Sequence, residues 1–276
     1  MKLENNKLKL TIENKGGEMS SLIYKGMNIL YDGKGEYWSG KNPTLFPIIS
    51  SPNSKQYTFN GVTYPIKNHG LIRYATLDTI EDDGKQVVLE LKANEETLAQ
   101  YPFNFKYQIK YELDDNRVIV SYVIKNIDDK VMPFTFGIHP GFVCDLQNDS
   151  VYFDKDNSAQ ILIDKRTKES IEKPLGTYKL KDFVNDIEKY ETVVFKPLKT
   201  KTYELIRNDY RVKIYGGQFK YVAMWTPNRN ANFLCIEPWC SIDYIKETNN
   251  PFSDEFELHY LKPQDEFNIS YIIEVE

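Results

Sequence analysis

The sequence is poor in the residue types and motifs that usually support metal, redox or nucleotide chemistry. Its 276 residues include three cysteines and three histidines. Cys144, Cys235 and Cys240 are an odd number and form no Cys-x-x-Cys pair, so they predict neither a disulfide framework nor a zinc knuckle. The chain also lacks Gly-x-Gly-x-x-Gly, Gly-Lys-Ser/Thr and Gly-x-Ser-x-Gly motifs, which argues against a nucleotide-binding protein and a serine hydrolase.

Charge clusters and long apolar runs are missing as well. The net charge is −5 and no cluster of lysine and arginine stands apart from acidic neighbours, so a nucleic-acid partner is not expected. No apolar run approaches the roughly 20 residues of a membrane span, and the first residues contain no apolar core of a signal peptide. We therefore expect a cytoplasmic protein without a membrane partner.

What the chain does contain is a strong two-residue periodicity, which places alternate side chains on one face of a β-strand. One such stripe runs through Phe103, Phe105, Tyr107, Ile109, Tyr111 and Leu113. A turn sequence at 113–116 follows, and the alternation resumes at Val118, so residues 103–124 predict a long hairpin. The 20 tyrosines and 15 phenylalanines suit a pleated surface. These features predict one all-β domain over residues 1–276, either a sandwich or a barrel.

The same alternation predicts further strands at 9–13, 20–24, 76–81, 86–91, 210–215, 221–225, 232–237, 255–261 and 267–275. Helix is scarce. Residues 94–100 predict one short helix that ends before Pro102, and residues 181–190 predict a second. The charged stretch 164–181 predicts a solvated excursion that could form a flap.

Two of the three histidines lie in turn-like sequences between apolar runs. His139, in Gly137-Ile138-His139-Pro140-Gly141, follows an apolar alternation, so its side chain is expected where a strand leaves the sheet. Loops on a rigid scaffold are where functional sites concentrate. An unperturbed pKa near 6.5 suits a general acid at neutral pH. The alternative is a structural histidine that satisfies a neighbouring carbonyl. His259, within an alternating segment, is interpreted as structural.

Glu237 is a carboxylate in an apolar segment, Cys235-Ile236-Glu237-Pro238-Trp239. Burial is expected to raise its pKa toward the range of a general base, unless a cation or hydrogen-bond donors offset that effect. The alternative is a structural carboxylate paired with a lysine or arginine. Trp239 is either a core residue or a platform for the apolar face of a sugar.

His69 and Arg73 lie four residues apart in Asn68-His69-Gly70-Leu71-Ile72-Arg73 and could project from one irregular loop toward a common ligand. Arginine offers several fixed donors to hydroxyl or carboxylate oxygens. Two histidines and Glu237 could also hold iron or zinc. Metal sites in β-barrels usually have two ligands close together in sequence, and these three lie far apart, so no metal is expected.

These segments resemble the aldose 1-epimerase family, the galactose mutarotase-like proteins, and most closely its LacX-like branch. The likeness extends over almost the whole chain. It rests on the histidine and glutamate segments above and on Gly16-Gly17-Glu18-Met19-Ser20-Ser21-Leu22, Asn42-Pro43-Thr44-Leu45-Phe46-Pro47-Ile48, Tyr101-Pro102-Phe103-Asn104-Phe105 and Met132-Pro133-Phe134-Thr135-Phe136.

The resemblance implies a large antiparallel β-sandwich whose concave face holds a sugar. It implies that His139 is the general acid, that Glu237 is the general base, and that His69 and Arg73 orient the substrate. The activity implied is interconversion of the α and β anomers of a free aldohexose, which moves only protons and needs no cofactor. Better-known mutarotases also use an aspartate, and Asp209 is a candidate for it, although Asn208-Asp209 is more simply a turn.

Two other functions remain open from the sequence. One is a non-catalytic sugar-binding protein on the same fold, in which the acid–base pair is vestigial. The other is a metal-dependent enzyme of the cupin type. The sequence makes no prediction about the oligomeric state or the identity of the sugar.

Overall fold

The computed structural model describes residues 1–50, 52–164, 168–242, 250–253 and 256–276. The first part of the chain forms a small antiparallel sheet and then a loop-rich segment. Within the small sheet, Leu8, Leu10 and Ile12 alternate inward and are buried. The elements of this part are β1 (Lys2–Glu4), β2 (Leu8–Ile12), β3 (Met19–Tyr24), β4 (Met27–Asn28), β5 (Thr44–Leu45), β6 (Gln56–Phe59), β7 (Val62–Pro65) and a 3₁₀ helix (Ile72–Tyr74).

The middle of the chain supplies long strands and the predicted first helix. Its elements are β8 (Asp78–Asp82), β9 (Gln86–Lys92), α1 (Glu95–Leu98), β10 (Phe105–Asp114) and β11 (Arg117–Asn126). Strands β10 and β11 pair from Phe105 with Asn126 to Asp114 with Arg117, which confirms the predicted hairpin. Asn94 caps α1 by accepting a hydrogen bond from the backbone N–H of Thr97, as the sequence pattern of a helix start requires.

Most of the remaining strands belong to two large sheets, and two short strands form a separate pair. They are β12 (Met132–Phe134), β13 (Gly137–Ile138), β14 (Gly141–Val143), β15 (Ser150–Phe153), β16 (Ser158–Asp164), β17 (Glu169–Pro174), β18 (Thr177–Lys179), α2 (Leu180–Tyr190), β19 (Val193–Phe195), β20 (Thr202–Ile206), β21 (Arg211–Tyr215), β22 (Tyr221–Trp225), β23 (Phe233–Trp239), β24 (His259–Leu261) and β25 (Glu266–Val275). The helix predicted at 181–190 is α2.

The architecture is a large antiparallel β-sandwich, as predicted. One sheet has nine strands in the order β18-β15-β20-β21-β25-β11-β10-β9-β8. The other has the order β17-β16-β19-β22-β23-β13-β5, with β14 also paired to β23. A large buried apolar cluster contains Ile109 and Val120 from the first sheet and Leu234 and Ile236 from the second, so it forms the core between them. A second cluster, which includes Tyr221 and Trp239, adds buried apolar side chains on the second sheet.

Two sequence expectations need correction. Strand formation was predicted over 255–261, but the described residues there form a strand only at His259–Leu261, and 254–255 lie outside the described residues. The charged stretch 164–181 was expected as an excursion, yet β17 pairs with β16 and β18 pairs with β15. The side chains of β17 and β18 are exposed or half-buried, so the solvated character is retained. Residues 165–167 lie outside the described residues, and the flap stays a prediction.

Candidate active site

The pairing of three short strands places His139 opposite Glu237. Gly137 of β13 pairs with Trp239 of β23, and Gly141 of β14 pairs with Cys235 of the same strand. The residue midway between the two glycines therefore lies against the residue midway between Cys235 and Trp239. Glycine is required at 137 because a Cβ there would lie 2.7 Å from Cδ1 of Trp239.

His139 and Glu237 form a buried pair. Nε2 of His139 lies 3.3 Å from Oε1 of Glu237, and the two side chains are 7% and 1% exposed. The backbone N–H of His139 donates to the carbonyl of Pro43 at 3.1 Å, which ties this position to the neighbouring loop. The structure thus brings together the two residues to which the sequence assigned acid–base chemistry.

His69 is held in an unusual backbone conformation beside this pair. Its φ is +66°, in the left-handed region that non-glycine residues seldom adopt. The carbonyl oxygen of His69 accepts a hydrogen bond from the backbone N–H of Phe46 at 3.3 Å. Gly70 has no side chain, which leaves room for the backbone carbonyl of Phe46. Strained positions of this kind cluster at functional sites. The His69 and His139 ring centroids lie 5.3 Å apart.

A hydrogen bond fixes the tautomer of His69. Its Nδ1 lies 2.6 Å from the carbonyl oxygen of Ile49. A carbonyl oxygen only accepts, so Nδ1 carries the proton and donates, and Nε2 of the neutral ring is left as an acceptor. Such an acceptor suits a hydroxyl group of a ligand.

Burial keeps both imidazoles neutral at pH 7. It lowers the pKa of His69 from its ordinary value of 6.5 to about 3, and the nearby Arg73 guanidinium adds to this effect. Burial also lowers the pKa of His139 well below 6.5, with a further contribution from His69. Neither ring is therefore a resident cation in the unliganded protein.

Three indole rings surround these polar groups. The chain has three tryptophans, and each of them lines the same cavity. Trp38 stacks on His139 with centroids 5.0 Å apart and 28° between the planes. Trp225 meets His139 edge-on at 5.7 Å. The indole Nε1 of Trp239 is buried and has no hydrogen-bond partner among the described residues, so it is an available donor at the cavity wall.

The cavity has a volume of about 360 Å³, within the range of small-molecule sites. Five of the predicted site residues lie on its wall, namely His69, Arg73, His139, Glu237 and Trp239. Its lining consists of Trp38, Ile49, Ser50, Asn68, His69, Arg73, His139, Glu191, Thr192, Trp225, Glu237 and Trp239. A larger cavity of about 620 Å³ lies beside Tyr74 and contains none of the five.

Asp209, the sequence candidate for a substrate-contacting aspartate, lies elsewhere. It occupies the turn between β20 and β21, where its Oδ1 is 3.3 Å from Nε of Arg207. It does not line the cavity. Asp209 is therefore explained by the turn.

One set of side chains could in principle hold a metal ion. Ligand atoms of His139, Cys235 and Glu237 lie within 4.8 Å of one another. Burial, reinforced by Glu237, raises the pKa of the Cys235 thiol well above 9, so the thiol stays protonated at neutral pH. Because a cysteine binds metal as the thiolate, a metal ion at this set would have to displace the proton of the Cys235 thiol. His69, with its Nδ1 bonded to Ile49, is not part of the set.

Sequence reasoning missed Trp38 and Trp225. Trp225 ends a strand that the alternation predicted, and Trp38 lies in a segment without strands between β4 and β5. The available signal was the scarcity of tryptophan, because the three indoles converge on the two scarce histidines.

Comparison with known proteins identifies the family of this chain. A model of the family described as aldose 1-epimerase matches residues 1–272. The chain belongs to the aldose 1-epimerase family. It is also 24% identical to two LacX proteins of Lactococcus lactis subsp. lactis, chromosomal and plasmid, with alignments that cover 100% of this chain and 99% of each relative.

Several solved structures share the fold of this chain. A galactose mutarotase related enzyme from Lactobacillus acidophilus superposes with a TM-score of 0.89 at 23% identity, covering 100% of this chain and 97% of that one. A galactose mutarotase-like protein from Lactobacillus casei ATCC 334 gives 0.86 at 23% identity, with 100% and 99% covered. A galactose 1-epimerase from Lactobacillus acidophilus NCFM gives 0.70 at 15% identity, with 100% and 93% covered. At these identities the likeness establishes the β-sandwich of the aldose 1-epimerase family.

Within the described residues, no helix combines the length and apolar character needed to span a membrane. Cys144, Cys235 and Cys240 are buried free thiols.

Proposed function

We propose that this member of the aldose 1-epimerase family interconverts the α and β anomers of a free aldohexose such as galactose or glucose. The observation that carries the proposal is the buried His139–Glu237 pair, 3.3 Å apart, at the wall of a cavity of small-molecule size. An imidazole and a carboxylate in contact with one ligand can move two protons in concert.

The proposed chemistry opens and recloses the sugar ring. Glu237 accepts the proton of the C1 hydroxyl while His139 donates a proton to the ring oxygen O5, and the C1–O5 bond breaks to give the open-chain aldehyde. Rotation about C1–C2 presents the other face of the carbonyl. Closure then runs the same transfers in reverse, so the protein ends with the protons it began with and the reaction needs no cofactor.

The low pKa of His139 leaves the question of where its proton comes from. We propose that the pair holds a single proton that passes between Nε2 of His139 and Oε1 of Glu237. With the proton on His139, the pair opens the ring. With the proton on Glu237, the pair closes it. The two protonation arrangements therefore serve the two directions of one reversible reaction, and the apparent pKa values belong to the pair.

The remaining cavity residues suit a neutral sugar. Hydroxyl groups of a sugar would find both donors and acceptors here. Nε2 of His69 can accept a hydrogen bond, whereas the guanidinium of Arg73 and the indole N–H of Trp239 can donate one. The tryptophan faces suit the apolar C–H face of the sugar ring. Among the described residues on the wall, Arg73 is the one cationic side chain, which favours an unphosphorylated substrate.

Polarimetry tests this proposal. Freshly dissolved α-glucose and α-galactose are allowed to relax with and without the purified protein, and a known mutarotase serves as the positive control. We expect faster relaxation of at least one of the sugars. If the control accelerates both sugars and this protein accelerates neither, the proposal fails for those substrates.

A non-catalytic sugar-binding protein is a second candidate, and one observation favours it. His139 is neutral in the unliganded protein, as expected for a site that only binds. The double variant His139→Ala/Glu237→Ala separates the two functions. A binder retains its sugar affinity in calorimetry and its parent shows no turnover, whereas an epimerase loses a measurable rate.

A further inference from the structure

We infer that Trp38 is a positioning residue, whose indole holds the imidazole of His139 in line with Glu237 and shields it from water. The inference rests on the proposed function, because it names the group that aligns the acid–base pair. Its test below uses the histidine signals themselves, so it can fail or succeed independently of turnover.

Among the described residues, no other residue accepts a hydrogen bond from the far side of the His139 ring. Functional histidines are usually oriented by a carboxylate or carbonyl that accepts from the second ring nitrogen. Nδ1 of His139 is buried and has no such partner among the described residues. Nε2 faces Glu237 at 3.3 Å, a single contact that leaves the ring free to tilt about it.

Packing takes the place of that missing hydrogen bond. Trp38 covers one face of the imidazole with 5.0 Å between centroids and 28° between planes. Trp225 and His69 meet the ring edge-on at 5.7 Å and 5.3 Å. Of these three rings, Trp38 is the one that lies nearly parallel to the imidazole. It therefore limits rotation of the His139 ring away from the orientation in which Nε2 faces Glu237.

Trp38 is itself held firmly although it lies on a loop. Its neighbours Tyr37 and Ser39 are exposed, whereas Trp38 turns inward. The Tyr31 hydroxyl donates a hydrogen bond to the carbonyl oxygen of Trp38 at 2.8 Å. The indole of Trp38 stacks on Phe233 with 5.5 Å between ring centroids. Gly40 leaves the space that the indole fills. These contacts therefore hold the Trp38 indole against the His139 ring.

Removal of the indole has a defined electrostatic consequence. Burial is the main reason that the pKa of His139 lies well below 6.5. Water admitted in place of the indole would solvate the imidazolium form, so the pKa would move back toward 6.5. A phenylalanine would keep an aromatic face over His139 and preserve most of the effect.

Carbon–proton correlation spectra of the histidine rings test the inference, since a chain with three histidines has three Cε1–H signals. These signals are titrated between pH 4 and pH 8 in the wild type, Trp38→Ala, Trp38→Phe and the control Tyr37→Ala, which removes an exposed ring from the same loop. A His139→Gln variant assigns the signal, and circular dichroism checks folding. We expect the His139 midpoint in Trp38→Ala to rise by about one pH unit or more. Trp38→Phe and Tyr37→Ala should stay near the wild type.

Kinetics supply the second readout where turnover is measurable. Misalignment of the pair should lower kcat in Trp38→Ala by roughly 10-fold to 100-fold, with partial recovery in Trp38→Phe. A folded Trp38→Ala variant whose His139 titrates as in the wild type overturns the inference. So does a variant in which only KM rises, because that result assigns Trp38 to substrate stacking alone. An unchanged titration argues against positioning, whereas an absent turnover in the wild type argues against the proposed function.

Discussion

At the scale of single residues, the candidate site is defined by the burial of two titratable side chains. His139 and Glu237 are 7% and 1% exposed in contact with each other. The proton exchange that we propose for this pair depends on this burial, because water stabilises the charged form of neither partner. The catalytic assignment can therefore be tested one proton-transfer group at a time.

Replacing Glu237 by glutamine keeps the size of the side chain but removes its capacity to accept a proton. We expect Glu237→Gln to lower kcat for mutarotation by roughly 100-fold to 10,000-fold, the range for a positioned acid or base. Initial rates by polarimetry measure the effect. Glu266→Gln, an exposed change on β25, is the matched control and should leave kcat unchanged. A Glu237→Gln variant with the kcat of the wild type removes Glu237 from the mechanism.

The depressed pKa of His69 predicts how stability depends on pH. The unfolded chain binds a proton at His69 near pH 6.5, whereas the folded protein binds one near pH 3. Between these values the unfolded state holds more protons, so the free energy of unfolding falls as the pH is lowered. At about 1.4 kcal/mol per pKa unit, the contribution of His69 between pH 6.5 and pH 5 is about 2 kcal/mol.

Urea unfolding of the wild type and His69→Gln at a series of pH values measures this contribution. Glutamine does not titrate, so the loss of stability between pH 6.5 and pH 5 should be smaller in the variant by about 2 kcal/mol. His139 acts with the same sign and remains in both proteins. Parallel pH profiles for the two proteins would contradict a buried, neutral His69.

At the scale of elements, the sequence predicts long strands well and short strands poorly. Strands β9, β10 and β11 have one buried and one largely half-buried face, so their side chains alternate in the sequence as they do in space. Strand β7 is largely exposed on both faces, and the two residues of β13 are too few for a pattern. These short strands form because neighbouring strands pair with them, and the local sequence contains no pattern that indicates this pairing.

The site follows the same rule. The motifs around His139 and Glu237 identify the pair because their residue types are unusual in apolar surroundings. The contact between Trp38 and His139 depends on how a loop folds back across the sheet, and local sequence does not encode that approach. Asp209 shows the opposite error, in which a residue of suitable type proves to serve a turn.

The close approach of β13 to β23 predicts a specific sensitivity at Gly137. A Cβ at this position would lie 2.7 Å from Cδ1 of Trp239, in a strand pair that also sets the site. We expect Gly137→Ala to lower the free energy of unfolding by about 1–3 kcal/mol, the usual cost of overpacking. Gly217→Ala is the control, since a Cβ there meets no atom within 4 Å, and it should change stability by less than about 0.5 kcal/mol. Equal effects of the two substitutions would refute the packing argument.

At the scale of the molecule, we propose that residues 1–276 fold as one domain. The main apolar cluster includes Leu3 near one end of the chain and Val275 near the other, together with residues of both large sheets. Neither sheet has a separate core of that extent among the described residues. The two sheets are therefore expected to unfold together.

Differential scanning calorimetry tests this domain organisation. We expect one transition whose calorimetric enthalpy equals the van't Hoff enthalpy, the criterion for all-or-none unfolding. Far-ultraviolet circular dichroism should give the same midpoint. Two resolved transitions, or a calorimetric enthalpy well above the van't Hoff value, would show that the sheets unfold as separate units.

The convergence of the three tryptophans on one cavity has an optical consequence. In most proteins indole emission averages over many environments, but here every indole lies on the wall of the cavity beside His139. A hexose does not absorb where tryptophan absorbs or emits, and it would displace water from the indole faces when it enters. If the proposed substrates bind in this cavity, the three indoles would report its occupancy by their own fluorescence, so sugars could be compared without labels and without turnover.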